Sequence, residues 1–198
     1  MTDALTTRPD DIVGQVLGAY WRRRGALMTF FQIETEINAS AELVWATIRD
    51  VERWPEWTPT VTSVRLWTPP PLAVGSRALI RQPKLPPAFW RVVELDDSLR
   101  SWTWVNSAPG VRVVAKHLVV PSGERSRVRL SLHFEGLLAG ILGFATRKLN
   151  TRFLAMEAQG LKSRVEGVRR CVQWIRTSRQ LRACGWMEIN GQNIPLAK

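Results

Sequence analysis

From Thr60 to Glu135 the chain passes through six short strand-like segments, each closed by turn-forming residues. Thr60–Trp67 ends at Pro69-Pro70-Pro71, Gly75–Gln82 at Pro83, Pro86 and Pro87, and Phe89–Leu95 at Asp96-Asp97. Arg100–Asn106 ends at Pro109-Gly110, Val111–Val120 at Pro121-Ser122-Gly123, and Arg125–Glu135 at Gly136. Connections this short cannot hold a crossover, so the six neighbours run antiparallel as a meander. Upstream, Phe31, Ile33 and Ile37 alternate with Gln32, Glu34 and Glu36. That is the period of a half-buried strand, and it brings the expected count to seven.

Two helical pieces follow the first strand. Asn38-Ala39-Ser40 supplies a cap and Glu42 a carboxylate in the first turn. Ala41–Asp50 then buries Val44, Trp45 and Ile48, and Val51–Trp57 forms a second short piece, interrupted by Pro55 and closed off by Pro59. After Gly136 the period changes to that of a helix. Leu154, Ala158, Leu161, Val165, Val168, Val172 and Ile175 trace one apolar stripe, widened by Leu142, Leu149, Phe153 and Met156. Gly160 and Gly167 fall within it and weaken the helix locally. A single helix from Ile141 to Thr177 would span about 55 Å. The sheet cannot cover that length, so its end is expected to project or kink. A short helix is expected over Ile12–Tyr20 and little fixed structure over Ser178–Lys198.

The formal net charge is +11, and its location matters more than its size. Residues 28–144 carry only +2, whereas +8 lies beyond residue 144. Arg147, Lys148, Arg152, Lys162, Arg164, Arg169, Arg170, Arg176, Arg179 and Arg182 scatter around the helix and tail rather than forming a row. No nucleic-acid-binding motif or aromatic-interleaved basic strand accompanies them, so nucleic acid is not an expected partner. A solvated helix face accounts for the charge, as does contact with an acidic partner or an anionic membrane surface. The longest uncharged apolar run, Leu137–Ala145, is too short to span a bilayer. The acidic residues of Met1–Tyr20 do not fit a secretory signal, and Cys171 and Cys184 cannot staple a chain of 198 residues. A cytoplasmic protein is expected. No phosphate-binding glycine motif, nucleophile elbow or zinc-ligand spacing occurs, so neither metal nor cofactor is expected.

One strand, two small helices, six antiparallel strands and a long amphipathic helix define an α+β layer arrangement. A sheet of this size twists and is expected to curl around the helix, leaving a cavity between them. At Ile37-x-Ala39-x-x-x-x-Val44-Trp45 and Asp50-Val51-Glu52-Arg53-Trp54-Pro55-Glu56-Trp57 the sequence resembles the SRPBCC (START-like) superfamily. Its polyketide cyclase/dehydrase-like branch fits best. Gly75-Ser76-Arg77, Trp90-Arg91-Val92-Val93-Glu94-Leu95, Trp102-Thr103-Trp104, Ala115-Lys116-His117 and Leu154-Ala155-Met156-Glu157 continue the likeness. The resemblance implies a helix-grip fold, a seven-stranded curved antiparallel sheet around a long C-terminal helix. It spans about residues 28–170, leaving 1–27 as an N-terminal extension and 171–198 as helix end and tail.

Turning the apolar face of each strand inward places Trp102, Trp104, His117 and Phe134 toward the helix, with Phe153 and Met156 opposite. The resemblance also makes His117 cavity-facing and sets Trp54 and Trp57 at the mouth. Gln82 and Arg91 are candidate donors to a ligand oxygen, on strands whose two faces are both mixed. Plain core packing explains the aromatic residues equally well, and His117 fits a satisfied buried imidazole as well as a catalyst. Such a wall suits a small hydrophobic or aromatic molecule, lipid- or polyketide-like. Binding alone, or cofactor-free cyclase/aromatase or dehydratase chemistry with His117 as proton shuttle, would use the same pocket. The alternative is a non-enzymatic interaction module acting through the basic C-terminal helix. The stripe Val165–Ile175 suits a homodimer seam or a contact for residues 1–27.

Overall fold

An eight-stranded antiparallel sheet is the scaffold of the computed structural model, which describes residues 17–23, 26–178, 186–189 and 192–195. Strand β1 (Leu17–Arg23) pairs with β2 (Ala26–Ile37), and α1 (Ala41–Arg49) and a 3₁₀ turn (Val51–Glu56) follow. Next come β3 (Ser63–Leu66), β4 (Arg77–Arg81), β5 (Ala88–Asp96), β6 (Ser101–Ala108), β7 (Val111–Ser122) and β8 (Arg125–Glu135). They precede α2 (Ala139–Ala145), α3 (Arg147–Ser178) and a hairpin of β9 (Trp186–Ile189) and β10 (Gln192–Pro195). The order across the sheet is β1-β2-β8-β7-β6-β5-β4-β3, so the first long strand lies beside the last. The seven expected strands are β2 to β8, curved around the long helix.

Three expectations need correction. Leu17–Tyr20 belongs to strand β1 rather than to a helix, and residues 12–16 lie outside the described residues. Tyr20 and Trp21 favour an extended chain, and the free edge of β2 offers a ladder from Leu17↔Gln32 to Arg23↔Ala26. The C-terminal helix is divided at Thr146, whose hydroxyl donates to the Leu142 carbonyl at 2.6 Å. Such a back-bond competes with the helical ladder and bends the axis. The tail contains the β9–β10 hairpin, flanking Asn190-Gly191, a dipeptide with a strong hairpin preference.

Alternation along β2 works as the sequence implies. Thr29, Phe31, Ile33, Thr35 and Ile37 are buried on one face, while Glu34 and Glu36 pair with Arg129 and Arg127 on the other. Ser40 Oγ accepts from the Leu43 N–H to start α1, which buries Val44, Trp45 and Ile48. Helix α3 packs along β2 and β8 through Leu154, Ala158, Leu161 and Val165, all buried. Gly160 is there for proximity: a Cβ at that position would lie 2.2 Å from the Trp57 carbonyl oxygen. No helix among the described residues is long and apolar enough to cross a membrane.

Candidate functional site: an aromatic-walled cavity

Residues opposite one another on neighbouring strands form three rows across the concave face of the sheet. The first row is Ile33–Leu130–His117–Trp102, running over β2, β8, β7 and β6. The second is Phe31–Leu132–Ala115–Trp104 and the third Thr29–Phe134–Val113–Asn106. In the first row, Trp102 is fully buried and its ring stacks on the His117 imidazole, centroids 4.4 Å apart at 10°. Trp54 of the 3₁₀ turn closes this stack from above, 5.5 Å from His117 and 5.3 Å from Trp104. Its indole Nε1–H donates to the Ile48 carbonyl at 3.0 Å, which fixes the ring.

The other two rows are not filled. Ala115 and Val113 are too small to meet the helices, and a cavity of about 300 Å³ remains above them. Trp54, Trp90, Trp104, Leu130, Phe134 and Leu154 give it a mainly apolar wall, with Phe153 and Leu142 opposite the sheet. Gln82, Leu85 and Pro86 of the β4–β5 connection, with Asn106, bound its outer end. These residues are half-buried or exposed, so the cavity meets solvent there.

Its polar groups are few and concentrated. His117 Nε2 lies 3.3 Å from Glu157 Oε1 of α3, with side chains 5% and 14% exposed. The approach is not aligned for a hydrogen bond, and Glu157 Oε1 has no hydrogen-bond partner. His117 Nδ1 and Trp90 Nε1 are unpartnered too. Each such buried group costs about 1–3 kcal/mol unless something pairs with it. A ligand hydroxyl would donate to Glu157, and a ligand carbonyl would accept from the Trp90 indole. Thr146 and Asn150 add polar atoms at the α2–α3 junction, where Asn150 Nδ2 donates to Thr146 Oγ1 at 2.8 Å. Among the described residues no three His, Cys, Asp or Glu side chains come together as metal ligands.

Trp54, Gln82, Trp104, His117, Phe134 and Phe153 line the cavity. Trp102 does not, because it lies behind the His117 ring as part of the packed core. Trp57 and Met156 face a separate groove with Ile33 and Gly160, between β2 and α3. Met156 lies about a quarter of a helical turn away from the cavity-facing Phe153–Glu157 pair, and Trp57 is held there by the close approach of Gly160. The mouth therefore lies at Pro86, not beside Trp57. Arg91 is exposed and outside the lining. His133 points away from the cavity and is half-buried against Phe30, centroids 4.4 Å apart, and burial lowers its pKa. Glu157 was not expected from the sequence. Its place in the series Asn150, Leu154, Glu157, Leu161 on the buried face of α3 is the signal that could have found it.

A curved antiparallel sheet gripping a long helix, with an apolar cavity between them, defines the helix-grip class of the SRPBCC superfamily. Residues 28–166 match the family described as polyketide cyclase / dehydrase and lipid transport, and the chain belongs to that family. Among solved structures it resembles a norcoclaurine synthase point mutant from Thalictrum flavum in complex with a transition-state analogue. The TM-score is 0.59 at 15% identity, over 74% of this chain and 99% of that one. A protein from Thermus thermophilus aligns with a TM-score of 0.58 at 21% identity, over 70% and 98% of the two chains. The di-domain ARO/CYC protein BexL of the BE-7585A biosynthetic pathway aligns at 0.57 and 23%, over 71% of this chain and 47% of its own length. At these identities the likeness is one of fold. No curated protein matches the chain in sequence.

Proposed function

We propose that the protein binds a small hydrophobic or aromatic molecule, lipid- or polyketide-like, in the cavity between the sheet and α3. The observation that carries this reading is the cavity itself, about 300 Å³ walled by Trp54, Trp90, Trp104, Phe134 and Phe153. A void of roughly 150 Å³ holds one benzene ring, so this one suits two or three fused rings or a short acyl segment. The family description supports the same ligand class. A melting-temperature screen against lipids and aromatic compounds tests it: saturable stabilisation by members of that class is expected. A screen in which none of them stabilises the protein would count against it.

A second reading, acid–base turnover of the bound molecule, is favoured by the His117–Glu157 pair at 3.3 Å. His117 would shuttle a proton to or from a ligand carbonyl or hydroxyl, and Glu157 would hold the imidazole in orientation. In a dehydration His117 would take the proton from the carbon α to a carbonyl and return it to the hydroxyl that leaves as water. The wall would impose the shape of the chain. His117→Ala is expected to abolish pH-dependent turnover while ligand affinity survives. Equal turnover in wild type and His117→Ala would remove the catalytic reading and leave binding intact.

A further inference from the structure

Helix α2 turns Ala139 and Gly143 inward and leaves Ile141 and Phe144 on the outside. Ala139 and Gly143 face β2, where Thr29 Oγ1 donates to the Ala139 carbonyl at 3.2 Å. A Cβ on Gly143 would fall 2.5 Å from the Thr29 side chain, so only glycine permits this approach. That grip fixes the roll of the helix. It leaves Ile141 68% exposed, Phe144 73% and Leu137, just before the helix, 86%. Spacings of four and three place these three side chains together on the outer face, with Leu138 beside them. A contiguous exposed apolar patch held this rigidly marks a contact with something apolar.

The surrounding charge indicates what that contact is. Arg147, Lys148 and Arg152 are exposed at the start of α3 and have no ion-pair partner among the described residues. Further along the helix, Lys162, Arg164 and Arg169 are paired with Glu166, Glu56 and Glu124. From Gly136 to Met156 the sequence contains no Asp or Glu. Large apolar side chains beside an acid-free basic collar complement an anionic bilayer, with the apolar groups at the headgroup–acyl boundary and the cations among the phosphates. The other side of this region walls the cavity, since Leu142, Thr146 and Asn150 line it.

We propose that α2 and the first turns of α3 dock the protein on an anionic lipid bilayer. Docking stands apart from the cavity reading. Co-sedimentation of the full chain with phosphatidylcholine vesicles, with and without phosphatidylglycerol, tests docking. Wild type should bind the anionic vesicles and be released by added salt. Ile141→Ser/Phe144→Ser should lower partitioning about tenfold or more, and Arg147→Glu/Lys148→Glu by a similar factor. Arg170→Glu, exposed far along α3, should change it little. No vesicle binding by wild type, or full binding by Ile141→Ser/Phe144→Ser, overturns the proposal. So does a dimer that this variant dissociates without any effect on vesicles, which would assign the patch to a second copy. Uptake of an apolar fluorescent probe without vesicles separates the two readings. If wild type takes up no probe yet docks through α2, the cavity reading falls and docking stands.

Discussion

The two ends of the concave face are built from similar residues and come to opposite outcomes. Near the 3₁₀ turn, Trp102, His117, Trp54 and Trp57 form a continuous aromatic stack with no room inside it. Near α2, Trp104, Phe134 and Phe153 surround a void. The difference lies in what faces the rings. At the first end the 3₁₀ turn inserts two indoles and Gly160 lets α3 close upon them. At the second end the sheet offers Ala115 and Val113, and α2 reaches the void only through Leu142. An inward aromatic residue is thus core or ligand wall according to its cross-strand partner and its cover, not according to its own identity.

The largest expected contrast between the two ends is in stability. Trp102→Ala should cost about 3–5 kcal/mol, because it opens a hole in a filled row, whereas Phe153→Ala should cost only about 1–2 kcal/mol beside an existing void. Denaturant unfolding of both variants compares them, and a reversed order would mean that the ends have been assigned the wrong way round. Added bulk should act oppositely to removed bulk. Gly160→Val should cost about 2–3 kcal/mol where α3 meets the Trp57 carbonyl, while Ala115→Val should change stability by less than about 1 kcal/mol.

Smaller effects come from charged groups around the packed end and on the outer face of the sheet. Burial raises the pKa of Glu166, but the Asn38 N–H, at 2.9 Å, and Lys162 outweigh it and hold the group below its ordinary value. A lowered carboxylate stabilises the fold above its unfolded pKa, and that contribution is lost as pH falls through the folded one. Glu166→Gln should therefore cost about 1 kcal/mol near pH 7 and converge with wild type in acid. His133 has the opposite sign, because burial lowers the pKa of a group that is charged when protonated. As pH falls below its reference value of 6.5, the unfolded chain takes up a proton that the folded chain resists, and stability declines. His133→Phe should remove that share of the decline in melting temperature between neutral and mildly acidic pH.

Much of the fold was legible because alternation and turn residues are local signals. The run Arg125–Glu135 matches β8 at both ends, and Phe31, Ile33 and Ile37 face inward as their spacing implies. Strand β1 was not legible, since its extended form depends on pairing with the edge of β2, and no proline turn of the kind seen between most of the other strands separates them. Within the site, alternation gave the inward face of β6, yet only the pairing Trp102↔His117 separates it from Trp104↔Ala115 and makes one indole core and the other wall. Glu157 is not marked by the sequence, because a charged residue beside an apolar stripe suits the solvent face as well as the buried one. The exposed face of α2 is hidden for a related reason. Its Leu137–Ala145 run reads as a buried segment until Thr29 fixes which side is covered.

Saturable binding of an apolar fluorescent probe to wild type, Val113→Trp and Trp57→Ala tests the hollow end most directly. Val113 sits beside Phe134 on the floor of the void, whereas Trp57 lies outside the lining. Wild type and Trp57→Ala should bind alike, and Val113→Trp, folded by circular dichroism, should lose affinity at least about tenfold by filling the space. Undiminished binding to folded Val113→Trp would contradict a ligand site between the sheet and α3.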